Sequence, residues 1–148
     1  MDHRIKQYFD IKEVVCKHVF NKFGEGAWQF FDPRLLETMV VIREKLGKPI
    51  YVNNWDMGGN LTQRGLRCNC CILVKEKTDL EKVYMSAHMQ GTGWDFDVKG
   101  MTAQEVREWI KRNQILLPYP IRLEDGVSWV HLDTRNDGTK GKVILFKA

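Results

Sequence analysis

The sequence predicts an α+β fold, a small and mainly antiparallel sheet with helices packed on one side, in a single domain spanning residues 1–148. Three observations lead to it. Stretches with apolar residues at helical spacing come first in the chain, and segments that alternate polar with apolar residues dominate later. Helices followed by strands is the order of α+β chains rather than of a repeated βαβ pattern. A chain of 148 residues, 43% hydrophobic, is long enough for one real core and short for two.

Taken in order, "DIKEVVCKHVFNKFG" (residues 10–24) has helical spacing and ends at Gly24, so it reads as a first helix. "DPRLLETMVVIREKLGK" (32–48) is a stronger helix: Asp32 is an N-cap, Pro33 takes the first helical position, Leu35, Leu36, Met39, Val40 and Ile42 form the apolar stripe, and Gly47 ends it. "PIYVNNW" (49–55) reads as a short strand. "DMGGNLTQRGLRCNCC" (56–71) is polar, glycine-rich and too long for a simple turn, which makes it a candidate functional loop. "EKVYMSAH" (81–88) reads as a strand ending at His88, and "WDFDV" (94–98) as the next strand. "TAQEVREWIKRN" (102–113) is an amphipathic helix with Thr102 at the N-cap and Glu105 completing a capping box. "GVSWVHLDT" (126–134) alternates as a strand, and "KVILFKA" (142–148) is a last strand after the turn "NDGTKG".

Composition excludes several function classes. No apolar run approaches the ~20 residues that cross a bilayer, so no membrane insertion is expected. The N-terminus has charges scattered through it and lacks the apolar core of a secretory signal, so synthesis in the cytoplasm without a signal peptide is expected. The net charge of +4 is dispersed, with no basic arm and no nucleic-acid partner implied, although mild basicity suits an anionic surface such as a bacterial cell wall. Of the cysteines, Cys68, Cys70 and Cys71 crowd into "RCNCC" and Cys16 stands apart. Two Cys-x-x-Cys pairs, the mark of a four-cysteine zinc site, are absent, and the thiols are expected to be reduced, with a metal or redox role as the alternative. His3 and His18 have no ligand-spaced neighbour and are expected to face solvent or serve structure.

The chemistry-bearing stretch is "SAHMQGTGWDFD" (86–97). Gly91 and Gly93 between His88 and Asp95 argue against a helix, each costing about 1 kcal/mol there. A glycine-bent connection instead brings both side chains to one rim of a sheet. In "SWVHLDTR" a period of two sets Trp129, His131 and Asp133 on one face and Val130 and Leu132 on the other. His88, Asp95 and His131 then form a three-ligand set with a fourth position open to water, the pattern of a catalytic rather than a structural zinc. Asp97 shares a face with Asp95, as a supporting residue or the ligand in its place. Asp133 and Arg135 read as a surface ion pair, and Trp94 and Trp129 as core aromatics or, alternatively, as a wall for the substrate.

The ordered residues Ser86, His88, Gly91, Gly93 and Asp95 resemble the signature of the zinc D-Ala-D-Ala carboxypeptidases, whose wider group includes murein endopeptidases, phage endolysins and the hedgehog signalling domain. Gly93 stands where that family usually has Ala. "WVHLD" resembles the second motif, so His131 inherits the last zinc position, and "RGLR" is similar to the segment whose arginine holds a substrate carboxylate or carbonyl, which falls on Arg67 with Arg64 as the alternative. The resemblance covers residues 31–135. It implies a hedgehog/DD-peptidase-like fold, a Zn2+ cofactor, and hydrolysis of an amide bond in peptidoglycan stem peptides, in a carboxypeptidase or endopeptidase mode, by a protein acting on cell wall and phage-encoded or virion-associated. The relatives' acidic residue three positions before the last histidine is replaced by Ser128. The general base therefore falls to Asp125, with Glu124 and Asp133 as alternatives. The missing acid also leaves a second reading, a metal-stabilised cell-wall-binding or structural module without turnover.

Overall fold

The computed structural model describes residues 1–148. In it the predicted first helix is broken into two, α2 (Ile11–Val14) and α3 (Lys17–Phe23), preceded by a one-turn α1 (Ile5–Tyr8). The break has a tertiary cause. Val15 is extended and forms a parallel bridge with Leu66, while its carbonyl accepts hydrogen bonds from Asn53 Nδ2 and Trp55 Nε1. A continuous helix would keep that carbonyl for itself.

The two helices with complete start and stop signals form as the sequence predicts. In α4 (Pro33–Leu46) Asp32 caps the Arg34 amide and Gly47 ends the helix in the left-handed region. In α6 (Ala103–Arg112) Thr102 and Glu105 make the reciprocal capping box. A further helix, α5 (Ile72–Asp79), which no local sequence signal predicts, closes the loop after the cysteine-rich run.

Five strands build one open sheet: β1 (Ile50–Tyr51), β2 (Gly93–Val98), β3 (Ile121–Glu124), β4 (Val130–Asp133) and β5 (Val143–Phe146), in the order β1-β2-β4-β3-β5. All pairs are antiparallel except β3 with β5. The fold is therefore α+β with a mainly antiparallel sheet. The strand expected over 81–88 does not form: Val83 is 96% exposed and no neighbouring strand pairs with it, so His88 instead lies in a turn. β3, which the sequence reading does not predict, lies between β4 and β5.

The register gives the sheet two different faces. Trp94 is opposite Leu132 and Phe96 opposite Val130; these four side chains point into the core with Leu123 and Ile121, and share it with Leu35, Leu36 and Met39 of α4 and with Val106 and Ile110 of α6. Trp94 is packed edge-on by Phe9 and Phe31 and is a core aromatic. On the other face, Asp95 is opposite His131 and Arg122 is opposite Asp133. A strand alternates its side chains, so a fully apolar inner face places charged residues together on the outer one.

Candidate metal centre

Asp95 and His131 meet because β2 and β4 pair directly through them. His88 arrives by the glycine-bent connection. Gly91 has φ +66°, and a Cβ there would strike the Phe30 carbonyl, so the turn into β2 needs glycine. His88 Nε2 ends 3.3 Å from Asp95 Oδ2, and His131 Nδ1 lies 2.7 Å from Asp95 Oδ1. The ligand atoms of His88, Asp95 and His131 all lie within 4.8 Å of one another.

Both imidazoles are oriented from behind. His88 Nδ1 is 2.9 Å from the Gly65 carbonyl and donates to it, and this turns Nε2 toward Asp95. His131 Nε2 is 2.9 Å from Asp133 Oδ2, and Asp133 is gripped by both nitrogen arms of Arg122, at 2.9 and 2.8 Å. A carboxylate behind a histidine ligand fixes its tautomer and raises its basicity. The surface pair expected between Asp133 and Arg135 is not present. Asp133 is 0% exposed, while the Arg135 side chain reaches the Met85 carbonyl and Gln90.

The charges are strongly coupled. Burial alone would lower the His131 pKa, but hydrogen bonds to Asp133 and Asp95 outweigh it and raise it to about 9. Burial alone would raise Asp133, but His131 and Arg122 hold it down at about 2. Asp95 is likewise held far below the usual carboxylate range by His131 and His88, against the opposing pull of burial. Two carboxylates, two imidazoles and an arginine thus form one buried polar cluster, and its two-histidine, one-carboxylate donor set fits a zinc-type ion.

The centre opens into a cavity of about 310 Å³ walled by Arg67, Tyr84, Glu124, Trp129 and Phe146 among others. Arg67 reaches 3.5 Å from Asp95 and 3.2 Å from the Tyr84 hydroxyl. Arg64 is engaged elsewhere, 2.8 Å from Asp97. That pair also removes Asp97 from the centre. Trp129 is 38% exposed and lines both this cavity and an adjoining groove of about 470 Å³, which also shares Arg67 and Asp95. Asp125, the sequence's choice of base, is not in the cavity wall; its backbone amide bonds the Phe146 carbonyl at the end of β3. Glu124, one position earlier and therefore on the Arg122 face of the strand, is in the wall. Asp133 is committed to His131 and Arg122 and has no role to spare as a base. Ser128 lines the adjoining groove.

A second group of ligating side chains brings Cys16, His18, Cys68 and Cys71 within the same 4.8 Å limit. The four cysteines are free and His18 is exposed, both as expected, but His18 does have ligand-spaced neighbours. The signal was present as Cys16-x-His18 and Cys68-x-x-Cys71, obscured by Cys70 inside the second pair.

No family model, curated protein or solved structure matches the chain.

Proposed function

We propose that the chain is a zinc-dependent peptidase that hydrolyses an amide bond in peptidoglycan stem peptides, akin to the zinc D-Ala-D-Ala carboxypeptidases. The observation that carries the proposal is the convergence of His88, Asp95 and His131 at the floor of an open cavity whose wall contains a free carboxylate and an arginine. Zinc held by these three residues would lower the pKa of a water from 15.7 to about 7 and polarise the scissile carbonyl. Glu124, rather than Asp125, takes the water's proton and passes it to the leaving amine. Arg67 offers its guanidinium fork to a substrate carboxylate or to the oxygen that gains charge. Trp129, shared by cavity and groove, supplies an apolar wall along which a peptide lies.

Ser128 in place of the relatives' acid favours the other reading, a metal-stabilised wall-binding module. Glu124 in the cavity wall favours the enzyme. The two separate by mass spectrometry of purified muropeptides treated with zinc-loaded protein. The enzyme removes or cuts a stem peptide, Glu124→Gln slows this by about 10²–10⁴-fold, and Asp125→Asn changes it little. Zinc-loaded, folded protein that cleaves no muropeptide bond eliminates the peptidase and leaves the binding module.

A further inference from the structure

We propose that Cys16, His18, Cys68 and Cys71 form a second, structural zinc site that clips the start of α3 to the loop carrying Arg67. The distances have the size that a tetrahedral ion requires. Zn–S bonds of about 2.3 Å at tetrahedral angles place two sulfurs about 3.8 Å apart. Cys16 Sγ is 3.7 Å from Cys68 Sγ, Cys68 Sγ is 4.0 Å from Cys71 Sγ, and Cys71 Sγ is 3.9 Å from His18 Nδ1. No disulfide joins them; all four cysteines of the chain are free. Three thiolates and one imidazole fill all four positions of zinc, which is the closed coordination of a structural site and leaves no place for water or substrate.

The backbone supports the same assignment. The Cys70 amide points at Cys68 Sγ from 3.4 Å, and Cys71 is the N-cap residue of α5. Amide donors and helix starts both favour a thiolate over a thiol. Cys70 itself is exposed and outside the group. Binding requires the three thiols to give up their protons to solvent, so occupancy rises with pH.

The position of the clip links it to the metal centre. Cys68 follows Arg67 directly, and Cys16 follows Val15, whose bridge to Leu66 is the neighbouring backbone contact. The Cys16 amide also donates to the Leu66 carbonyl at 3.0 Å. Holding Cys16 and Cys68 on one ion therefore fixes the Leu66–Arg67 backbone relative to α2 and α3. That same segment orients His88 through Gly65 and presents Arg67 to the cavity.

The full chain, purified from cells grown in cobalt and handled without chelator, tests the site by metal counting and absorption spectroscopy. The expected result is two metal ions per chain and an intense thiolate-to-cobalt charge-transfer absorption. Cys16→Ser and His18→Ala each lose one equivalent or weaken that absorption, whereas Cys70→Ser retains both. His88→Ala with His131→Ala loses the other equivalent and keeps the thiolate absorption, so failure of the catalytic reading and failure of this one are told apart. If Cys16→Ser does not fold, the wild-type absorption and the Cys70→Ser control decide. Folded wild-type protein with no thiolate–cobalt absorption, or with a disulfide among Cys16, Cys68 and Cys71 on thiol counting, overturns the site.

Discussion

At the scale of single residues, His131 is the hub of the centre. It sits between two carboxylates, with Asp95 on one ring nitrogen and Asp133 on the other. In metal-free protein this holds its pKa at about 9 against an ordinary 6.5. The protonated ring therefore stabilises the fold fully below pH 6.5, and the contribution, on the order of 3 kcal/mol, is lost as pH climbs toward 9. Asp133, held at about 2, works the other way: its contribution is present above the ordinary carboxylate range and is lost as pH falls toward 2. Metal-free protein is thus expected to be most stable between about pH 4 and 6.5, measured as unfolding midpoints across pH in the presence of chelator. Asp133→Asn removes one of the two partners that raise His131, so the loss on the alkaline side shrinks. It also weakens metal binding by about 10–100-fold, because the ring loses its orienting carboxylate. A midpoint that does not fall between pH 6.5 and 9 would refute the coupled charge arrangement. His131 and its alternation with Leu132 were legible in the sequence; the Arg122 grip on Asp133 was not, because Arg122 belongs to a strand, Ile121–Glu124, too short to announce itself.

At the scale of elements, the decisive piece is not a helix or a strand but the bent segment Arg64–Arg67. It donates the Leu66 amide to the Val14 carbonyl and receives the Asp95 and Cys16 amides on the Arg64 and Leu66 carbonyls. Gly65 has no room for a side chain, since a Cβ would run into the Val14 carbonyl. Gly65→Ala must push α2 and the segment apart, at a cost of about 1–3 kcal/mol, and shifts the carbonyl that orients His88. Gly26→Ala is the matched control, because its new Cβ would meet only Gln29 Nε2 at 3.8 Å; a change within about 0.5 kcal/mol is expected. Denaturant unfolding and metal titration of the two variants check both effects, and equal behaviour of the two would show that the segment is not the support it is taken to be. The same segment explains which elements could be read from sequence. α4 and α6 carry caps and an apolar stripe, so local signals suffice. The break at Val15 and the absence of a strand over 81–88 are set by partners distant in sequence, which no local period reports.

At the scale of the molecule, one sheet separates stability from chemistry. Adjacent residues of β4 serve opposite faces: Leu132 is fully buried among Trp94 and Leu123, and His131 faces the cavity. The period of two that makes this legible in "WVHLD" is a local property, so the shared face of His131 and Asp133 can be read from the sequence alone. Which of Glu124 and Asp125 lines the cavity is not legible in the same way, because it depends on the register of β3 against β4, a pairing between strands. The two-faced sheet makes substitutions one residue apart separable. Leu132→Ala opens a cavity in the core and lowers stability by about 2–5 kcal/mol, yet leaves His88, Asp95 and His131 in place. Below its lowered melting temperature it is expected to bind the same number of metal ions as the wild type. His131→Ala removes a ligand and leaves Asp95 and Asp133 without their shared counter-charge. It is expected to lose one metal equivalent and, in metal-free form, the alkaline pH dependence described for His131. Thermal unfolding with metal analysis of the same samples distinguishes them. Loss of a metal equivalent in folded Leu132→Ala protein would mean that core and centre are one cooperative unit, and the division of the sheet into two independent faces would be wrong.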